Sequence, residues 1–312
     1  MLALLGASGN VGSKVADALI KRGERIRVVG RNPQNLESFK KQGAELYLGH
    51  IGDNAFLSKC FKNCSAAFVM IPPDYSTDSL ANHYRKLSES ICRAVQDAGL
   101  HYVVNLSSFG AEHAMGTGPI QYLHDHEERL NKIEFCNIMH LRPAFFMENL
   151  LSYVQTIRQN KMIMSTLQAD LPIPMVAALD IARVAAESLL NRSFSGKNVR
   201  SILGPRDVSM AEVCVLLSRI LEQRISYQQL NDKDCEKILM QTGISATVAR
   251  EFVEMYRAYN SGLINTQGAR DEGNTTSTKI EDFLRAFRGI FFEEGAEDKQ
   301  LSAYQEENPP QH

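Results

Sequence analysis

One glycine-spaced turn limits what this chain can fold into more than any other feature. Residues 6–12 read Gly6-Ala7-Ser8-Gly9-Asn10-Val11-Gly12. The apolar run Leu2–Leu5 precedes them, and Val11, Val15, Ala18 and Leu19 follow at helical spacing. Between a strand and a helix, G-x-x-G-x-x-G is a dinucleotide-binding pattern. Gly6 allows the tight turn, Gly9 lets backbone amides approach a pyrophosphate, and Gly12 lets the helix lie close to the sheet. The free N–H groups and dipole of the first helical turn then hold the anion.

The end of the second strand, Val28-Val29-Gly30-Arg31, refines this expectation. An NAD site places a carboxylate about 20 residues after the loop, to bind the ribose 2′-OH. Arg31 stands there instead, and its guanidinium fork suits a 2′-phosphate. The expected cofactor is NADP(H) in preference to NAD(H).

Strand-like and helix-like segments alternate over the first 110 residues. Strands are expected at Ile26–Val29, Glu45–Leu48, Ala66–Ile71 and Tyr102–Leu106. Helices are expected at Asn35–Gln42 and along Leu80, Tyr84, Leu87, Ile91 and Val95, with stops at Gly23, Gly43 and Gly99. Such βαβα order demands a parallel sheet covered on both faces. Ile138–Leu141 and Val199–Leu203 read as further strands. Asp180–Leu190 and Ala246–Tyr259 read as helices, and Ser209-x-x-Glu212 and Thr278-x-x-Glu281 as capping boxes. The expected class is therefore α/β: a Rossmann-type doubly wound parallel sheet with a small, mostly helical C-terminal substrate domain. The nucleotide-binding part is expected over 1–155, with 173–204 returning to it, and the substrate-binding region over 156–292. An acidic, mobile tail is expected over 293–312.

Composition narrows the function. Hydrophobic residues make up 44%, enough for a sizeable core, and the formal net charge of -2 offers no basic excess for a nucleic acid. No window approaches the ~18 apolar residues of a membrane span. The N-terminus lacks a basic n-region and its apolar run ends at Gly6, so it reads as a buried strand rather than a signal peptide. Six irregularly spaced cysteines suggest free thiols and a cytoplasmic location.

GASGNVG, VVGRNPQNL, YVVNLSS, LRPAFFMENLL, DIARVAAESLL and ILGPRDVSMAEV together resemble the NmrA-like branch of the atypical short-chain dehydrogenases, over about residues 1–290. That resemblance implies an NADP(H)-binding Rossmann domain. Its members include NAD(P)H-dependent quinone reductases and redox-sensing regulators that bind the dinucleotide without turning it over. It implies that Ser8, Gly9, Asn10 and Val11 hold the pyrophosphate and Arg31 the 2′-phosphate. Ile71 and Pro72 would border the ribose, and Ser107 would lie near the nicotinamide ribose. Pro143, Ala144, Phe145 and Phe146 would wall the nicotinamide, with Glu148 and Asn149 close by. Related proteins often carry Gly-Asp after the third strand, the Asp near the adenine. Here Gly49-His50-Ile51 puts His50 at that position, while Ile51 can still pack against the base.

The catalytic centre is less explicit. Many short-chain dehydrogenases use Tyr-x-x-x-Lys with a Ser, the Lys lowering the Tyr pKa for proton transfer. Ser107-Ser108 is present, but Tyr122-Leu123-His124-Asp125-His126 gives Tyr-x-x-x-His. The NmrA-like pattern sets a Lys or His 18 residues before the Arg-Pro arginine. Counting back from Arg142 reaches His124, and a one-residue shift of register reaches Leu123. Tyr122 and His124 are the catalytic candidates, and Tyr75, Phe146 and Asn149 the substrate-wall candidates. No metal site is expected, since His124 and His126 diverge on a helix.

Two functions remain open at this level. One is hydride transfer from NADPH to a quinone or a related carbonyl or enone, the cofactor supplying the hard chemistry. The other is a non-catalytic NADP(H) sensor that binds a partner protein. An isoflavone-reductase-like enone reductase would usually keep a Lys at the proton-relay position, which this chain does not show. A homodimer and a regulatory protein partner are both left open.

Overall fold

Seven strands run parallel in one sheet. The computed structural model describes residues 1–265 and 270–293. In chain order the sheet's strands are β1 (Leu2–Leu4), β2 (Ile26–Gly30), β3 (Glu45–Leu48), β4 (Ala66–Val69), β5 (Tyr102–Leu106), β6 (Asn137–Pro143) and β10 (Lys197–Ile202). Their spatial order is β10-β6-β5-β4-β1-β2-β3. The chain winds outward from β1 to β3, returns to β4 beside β1, and winds out the other way. That reversal between β1 and β4 opens a crevice at the carboxyl ends of the strands, where ligands bind in such sheets.

Alternation along the strands explains why both faces are covered. Leu2, Leu4, Val28, Phe68 and Val104 face one core, and Ala3, Leu5, Val29, Val69 and Val103 the other. On the first face α1 (Asn10–Ile20) packs against α7 (Ala178–Asn191). On the second, α3 (Asn54–Phe61), α4 (Leu80–Asp97) and α5 (Ile120–Asn131) pack side by side. Gly23 closes α1 at φ +76°, as its position after the apolar stripe predicts. The helix expected over Asn35–Gln42 is a 3₁₀ turn at Gln34–Leu36 running into α2 (Glu37–Lys41).

The remaining elements gather above the carboxyl ends of the strands and beside them. β7 (Phe145–Phe146), β9 (Ile173–Val176) and β11 (Asp207–Val208) make a small sheet with β9 central. β8 (Met162–Ser165) pairs with β12 (Ser226–Gln229), and α6 (Val154–Asn160) precedes β8. Four more helices follow: α8 (Met210–Ile220), α9 (Asp232–Gln241), α10 (Ala246–Asn260) and α11 (Ile280–Phe292). Beyond Glu293 the acidic tail lies outside the described residues. All six cysteines are free thiols. No described helix is long and apolar enough to cross a membrane.

One capping box forms by half and the other does not form. Ser209 accepts from the Glu212 amide, but the Glu212 carboxylate turns to Arg206. At α11 the N-cap is Lys279 with no side-chain cap. The Thr278 amide is given to the buried carboxylate of Asp180, and Glu281 pairs with Arg206. Tertiary partners outcompete the local motif at that site.

Two buried histidines tie the second face together. Nδ1 of His126 shares a hydrogen bond with Ser88 Oγ at 2.8 Å. Asn105 donates to Nδ1 of His140, whose Nε2–H donates to Asn131. Burial pushes His126 down to about 3 and His140 down to about 4. Both rings are therefore neutral when folded and take up protons only when unfolded. Stability is full above the ordinary histidine value near 6.5 and is lost as pH falls from there toward 4 and 3. Each histidine is expected to contribute about 1.4 kcal/mol per pH unit inside that window. Denaturant melts between pH 7.5 and 5 check it. A His140→Gln variant should flatten the slope by about half, and an unaltered slope would refute the assignment.

Candidate functional site: the carboxyl edge of the sheet beneath α10

The glycine loop has the geometry its sequence demands. Gly6 sits at φ +68°, a conformation that favours glycine. Gly9 donates to the Gly6 carbonyl at 3.0 Å, and the helical ladder of α1 starts when Ser13 donates to Gly9. No side chain caps α1, and none caps α5, α6 or α11, whereas α3, α4, α8, α9 and α10 each begin under Asp53, Ser79, Ser209, Asn231 or Ser245. The first-turn amides of α1, from Asn10 to Gly12, are thus left to an external acceptor.

Two glycines separate packing from ligand space. A Cβ on Gly12 would lie 2.0 Å from the Gly6 carbonyl oxygen, a backbone clash. A Cβ on Gly9 meets only that oxygen, at an ordinary 3.5 Å, so the protein itself leaves room there. Gly12→Ala should therefore destabilise the fold by about 1–3 kcal/mol and also abolish dinucleotide binding. Gly9→Ala should keep its melting temperature yet weaken binding by at least tenfold, about 1.4 kcal/mol, because the methyl enters the pyrophosphate cradle. Thermal melts beside titration with NADPH decide this, and a Gly9→Ala protein that binds normally would remove the cradle.

The residues expected at the adenosine end follow β2 and β3. Gly49 donates to the Gly30 carbonyl, which sets the residues after β3 beside Arg31. Arg31 is exposed and makes no ion pair among the described residues. The Gly52 amide donates to Nδ1 of His50 at 2.9 Å, leaving Nε2–H as the donor of the neutral ring. Burial lowers the His50 pKa, and the charges of Arg31 and Lys86 lower it further. Ile51 packs on the second core with Tyr47 and Phe56.

Nearer the centre, Ile71 is buried after β4. The Pro72 carbonyl accepts from His83 Nε2–H at 2.8 Å, which pins the loop to α4. Ser107 is buried at the end of β5, and its hydroxyl has no hydrogen-bond partner among the described residues. Ser107 and Phe109 are held by the Leu141 and Pro143 carbonyls of β6. Phe145 is buried, its ring 6.5 Å from Tyr259 at 82°. Phe146 is only partly buried. The uncapped helix, the open side of Gly9 and the orphaned Ser107 hydroxyl all fit a dinucleotide laid across this edge.

His124 and Tyr122 lie on α5 but make no hydrogen bond to each other. His124 donates from Nδ1 to the Ala111 carbonyl at 2.9 Å, leaving the lone pair on Nε2. Tyr122 donates its hydroxyl proton to Glu251 Oε1 at 3.1 Å. Burial, reinforced by Glu251, pushes Tyr122 up to about 12. At the lysine position of Tyr-x-x-x-Lys, His126 is buried against Ser88. Glu148 and Asn149 follow the Phe145-Phe146 run. Both Glu148 oxygens accept from the Ala178 amide and so cap α7, and Asn149 is exposed.

Sequence reasoning missed the roof. Ser245 at the head of α10 binds the Tyr75 and Thr77 carbonyls of the loop after β4. Gly118 packs against the Glu251 carbonyl, so close that a Cβ there would clash. From α10, Glu251 reaches Tyr122 and Tyr259 packs against Phe145. Phe252 lies 5.0 Å from Tyr75, and Asn260 binds Thr166 and Gln168. A helix was expected over Ala246–Tyr259, but nothing in the sequence named its partners.

Residues 1–284 match the model of the NmrA-like family. The chain belongs to that family. It is 25% identical over 262 residues to a (4-alkanoyl-5-oxo-2,5-dihydrofuran-3-yl)methyl phosphate reductase of Streptomyces griseus, covering 84% of this chain and 88% of that one. Among solved structures, the Citrobacter sp. triphenylmethane reductase complexed with NADP(H) aligns at a TM-score of 0.79 and 17% identity. The NADPH-dependent quinone oxidoreductase of Escherichia coli complexed with NADPH aligns at 0.78 and 19%. Both alignments cover 92% of this chain and 99% of the other. For this NmrA-like protein they establish the fold.

Proposed function

We propose that this protein is an NADPH-dependent reductase of electron-poor small molecules, quinones and conjugated carbonyls being the first class to try. The observation that carries the reading is the uncapped N-terminus of α1 beneath the Gly6 turn, with Arg31, unpaired among the described residues, at the end of the next strand. Gly6, Ser8, Gly9, Asn10, Val11 and Gly12 would cradle the pyrophosphate, and Arg31 with His50 the 2′-phosphate end. Ile71, Pro72, Ser107, Pro143 and Phe145 would line the nicotinamide half. When bound, the reduced dinucleotide supplies the hydride.

The chain's own residues orient the acceptor and exclude water. Phe145, Phe146 and Tyr75 offer apolar walls against which a planar ring can stack. His124, steered by Ala111, presents Nε2, which in the protonated ring can pass a proton to an oxygen. Relatives and fold neighbours named as quinone, dye and furanone reductases support this reading.

The test is NADPH oxidation at 340 nm with and without menadione, with NADH run in parallel. Turnover that needs menadione and favours NADPH is the expected result. Tight NADPH binding without turnover over a panel of quinones and enones would overturn the reductase reading.

A further inference from the structure

His50 is a titratable ring set among cations. Gly49 donates to the Gly30 carbonyl, so the turn after β3 lies beside the end of β2 and Arg31. The Gly52 amide holds Nδ1 of His50 at 2.9 Å. A Cβ on Gly52 would sit 2.9 Å from that nitrogen and 3.3 Å from Leu87 Cδ2, so the same turn packs on α4. Lys86 adjoins Leu87 on that helix, and His83 lies one turn earlier. Nε2 of His50 has no hydrogen-bond partner among the described residues.

The charge around the ring is one-sided. Arg31 after β2 and Lys86 on α4 are exposed and make no ion pair among the described residues. His83 gives its Nε2–H to the Pro72 carbonyl. Asp53 is the carboxylate that acts on His50, and its Oδ1 is taken by the Phe56 amide at the head of α3. Burial lowers the His50 pKa, Arg31, Lys86 and His83 lower it further, and Asp53 opposes them. Cations on two sides of an ionisable ring repel its charged form until an anion answers them. A dianion reverses that field and favours the imidazolium.

We infer that binding of a dinucleotide 2′-phosphate is coupled to proton uptake by His50, so that the preference for NADP(H) over NAD(H) strengthens as pH falls from about 8 toward about 6.5. The inference rests on the reading that sets the 2′-phosphate beside Arg31. Without a ligand the ring is neutral above its lowered pKa. With a dianion beside it the pKa is higher, and a proton is taken up between the two values. Affinity therefore gains as pH falls through the upper value, and the gain is complete below the lower one. NAD(H) offers an uncharged 2′-OH there, so its affinity should not follow. The second ionisation of a phosphate ester lies near ~6, which keeps the dianion intact over most of this window.

Calorimetric titration with NADP⁺ and with NAD⁺ tests this on the wild type and on His50→Asn. It is run at pH 8, 7 and 6.5, each in two buffers of different ionisation enthalpy. The Asn carbonyl can still accept from the Gly52 amide, so the turn is kept while the titrating ring is lost. In the wild type the NADP⁺ Kd should tighten about fivefold from pH 8 to pH 6.5 while the NAD⁺ Kd holds. At pH 7 NADP⁺ should carry about half a proton into the protein. His50→Asn should lose both the slope and the uptake. Proton NMR of the wild type should show the His50 ring titrating about one pH unit higher in the NADP⁺ complex than in the free protein. That readout needs no variant, so it decides even where His50→Asn fails to fold. A pH-independent preference for NADP⁺, an unmoved ring, or a slope and uptake that persist in His50→Asn would overturn the inference and leave the 2′-phosphate reading standing. Equal affinity for the two dinucleotides at every pH would overturn both.

Discussion

Arg142→Met is expected to lower the unfolding free energy by about 3–5 kcal/mol, with a fall in melting temperature on the order of 10 °C. The guanidinium of Arg142 meets Glu127 through two bonds, Nε to Oε1 at 3.0 Å and Nη2 to Oε2 at 2.6 Å. Its Nη1 reaches Glu112 at 3.2 Å. Glu127 is 3% exposed, so removing Arg142 strands a buried carboxylate. The clamp joins β6 to two pieces of the site. Glu127 lies one turn beyond His124 on α5, and Glu112 adjoins Ala111, whose carbonyl steers His124. Loss of the clamp should therefore loosen residues 107–119 as well, seen as faster amide exchange there. The double variant Arg142→Met/Glu127→Leu replaces the pair with apolar volume and should regain most of the lost stability. A single variant within about 1 kcal/mol of wild type would show that the pair is solvated and that the clamp does not exist.

The difference between Arg142 and Glu251 shows what a sequence can and cannot disclose. The glycine loop, the first five strands and the return from β3 to β4 rest on local periodicity, turn residues and connection rules, all written within short stretches of chain. The proposal for Arg31 is local in the same way, because it rests on the distance from the loop. The roof was not. Tyr122 and Glu251 are 129 residues apart, and Tyr75 and Phe252 farther still. No local pattern encodes which face of α10 meets which loop. Thr278-x-x-Glu281 fails for a related reason, since Asp180, 98 residues upstream, claims the amide that the motif reserves for itself. Glu148 accepts from the Ala178 amide at the head of α7, a partner that its neighbours in sequence do not name.

Arg31→Glu is expected to reverse the dinucleotide preference. The wild-type side chain is exposed and unpaired among the described residues, so its removal breaks no internal contact. Its charge is proposed to meet a dianion at the end of β2. A charge-assisted hydrogen bond contributes about 1.5–3 kcal/mol, and a carboxylate in its place adds repulsion. KM for NADPH should therefore rise by about 100-fold or more. For NADH the sign is opposite, because a carboxylate at this position can accept from the ribose 2′-OH. Its KM should hold steady or fall, which turns a uniform loss of activity into a switch. The melting temperature should not move by more than about 1 °C, since surface substitutions without partners are nearly neutral. His50 provides an internal check. The charge of Arg31 is one of the causes that lower its pKa, so the ring should titrate at higher pH in Arg31→Glu, measurable by proton NMR. If both dinucleotides lose affinity equally, Arg31 holds the loop rather than the phosphate, and the proposed preference for NADPH falls.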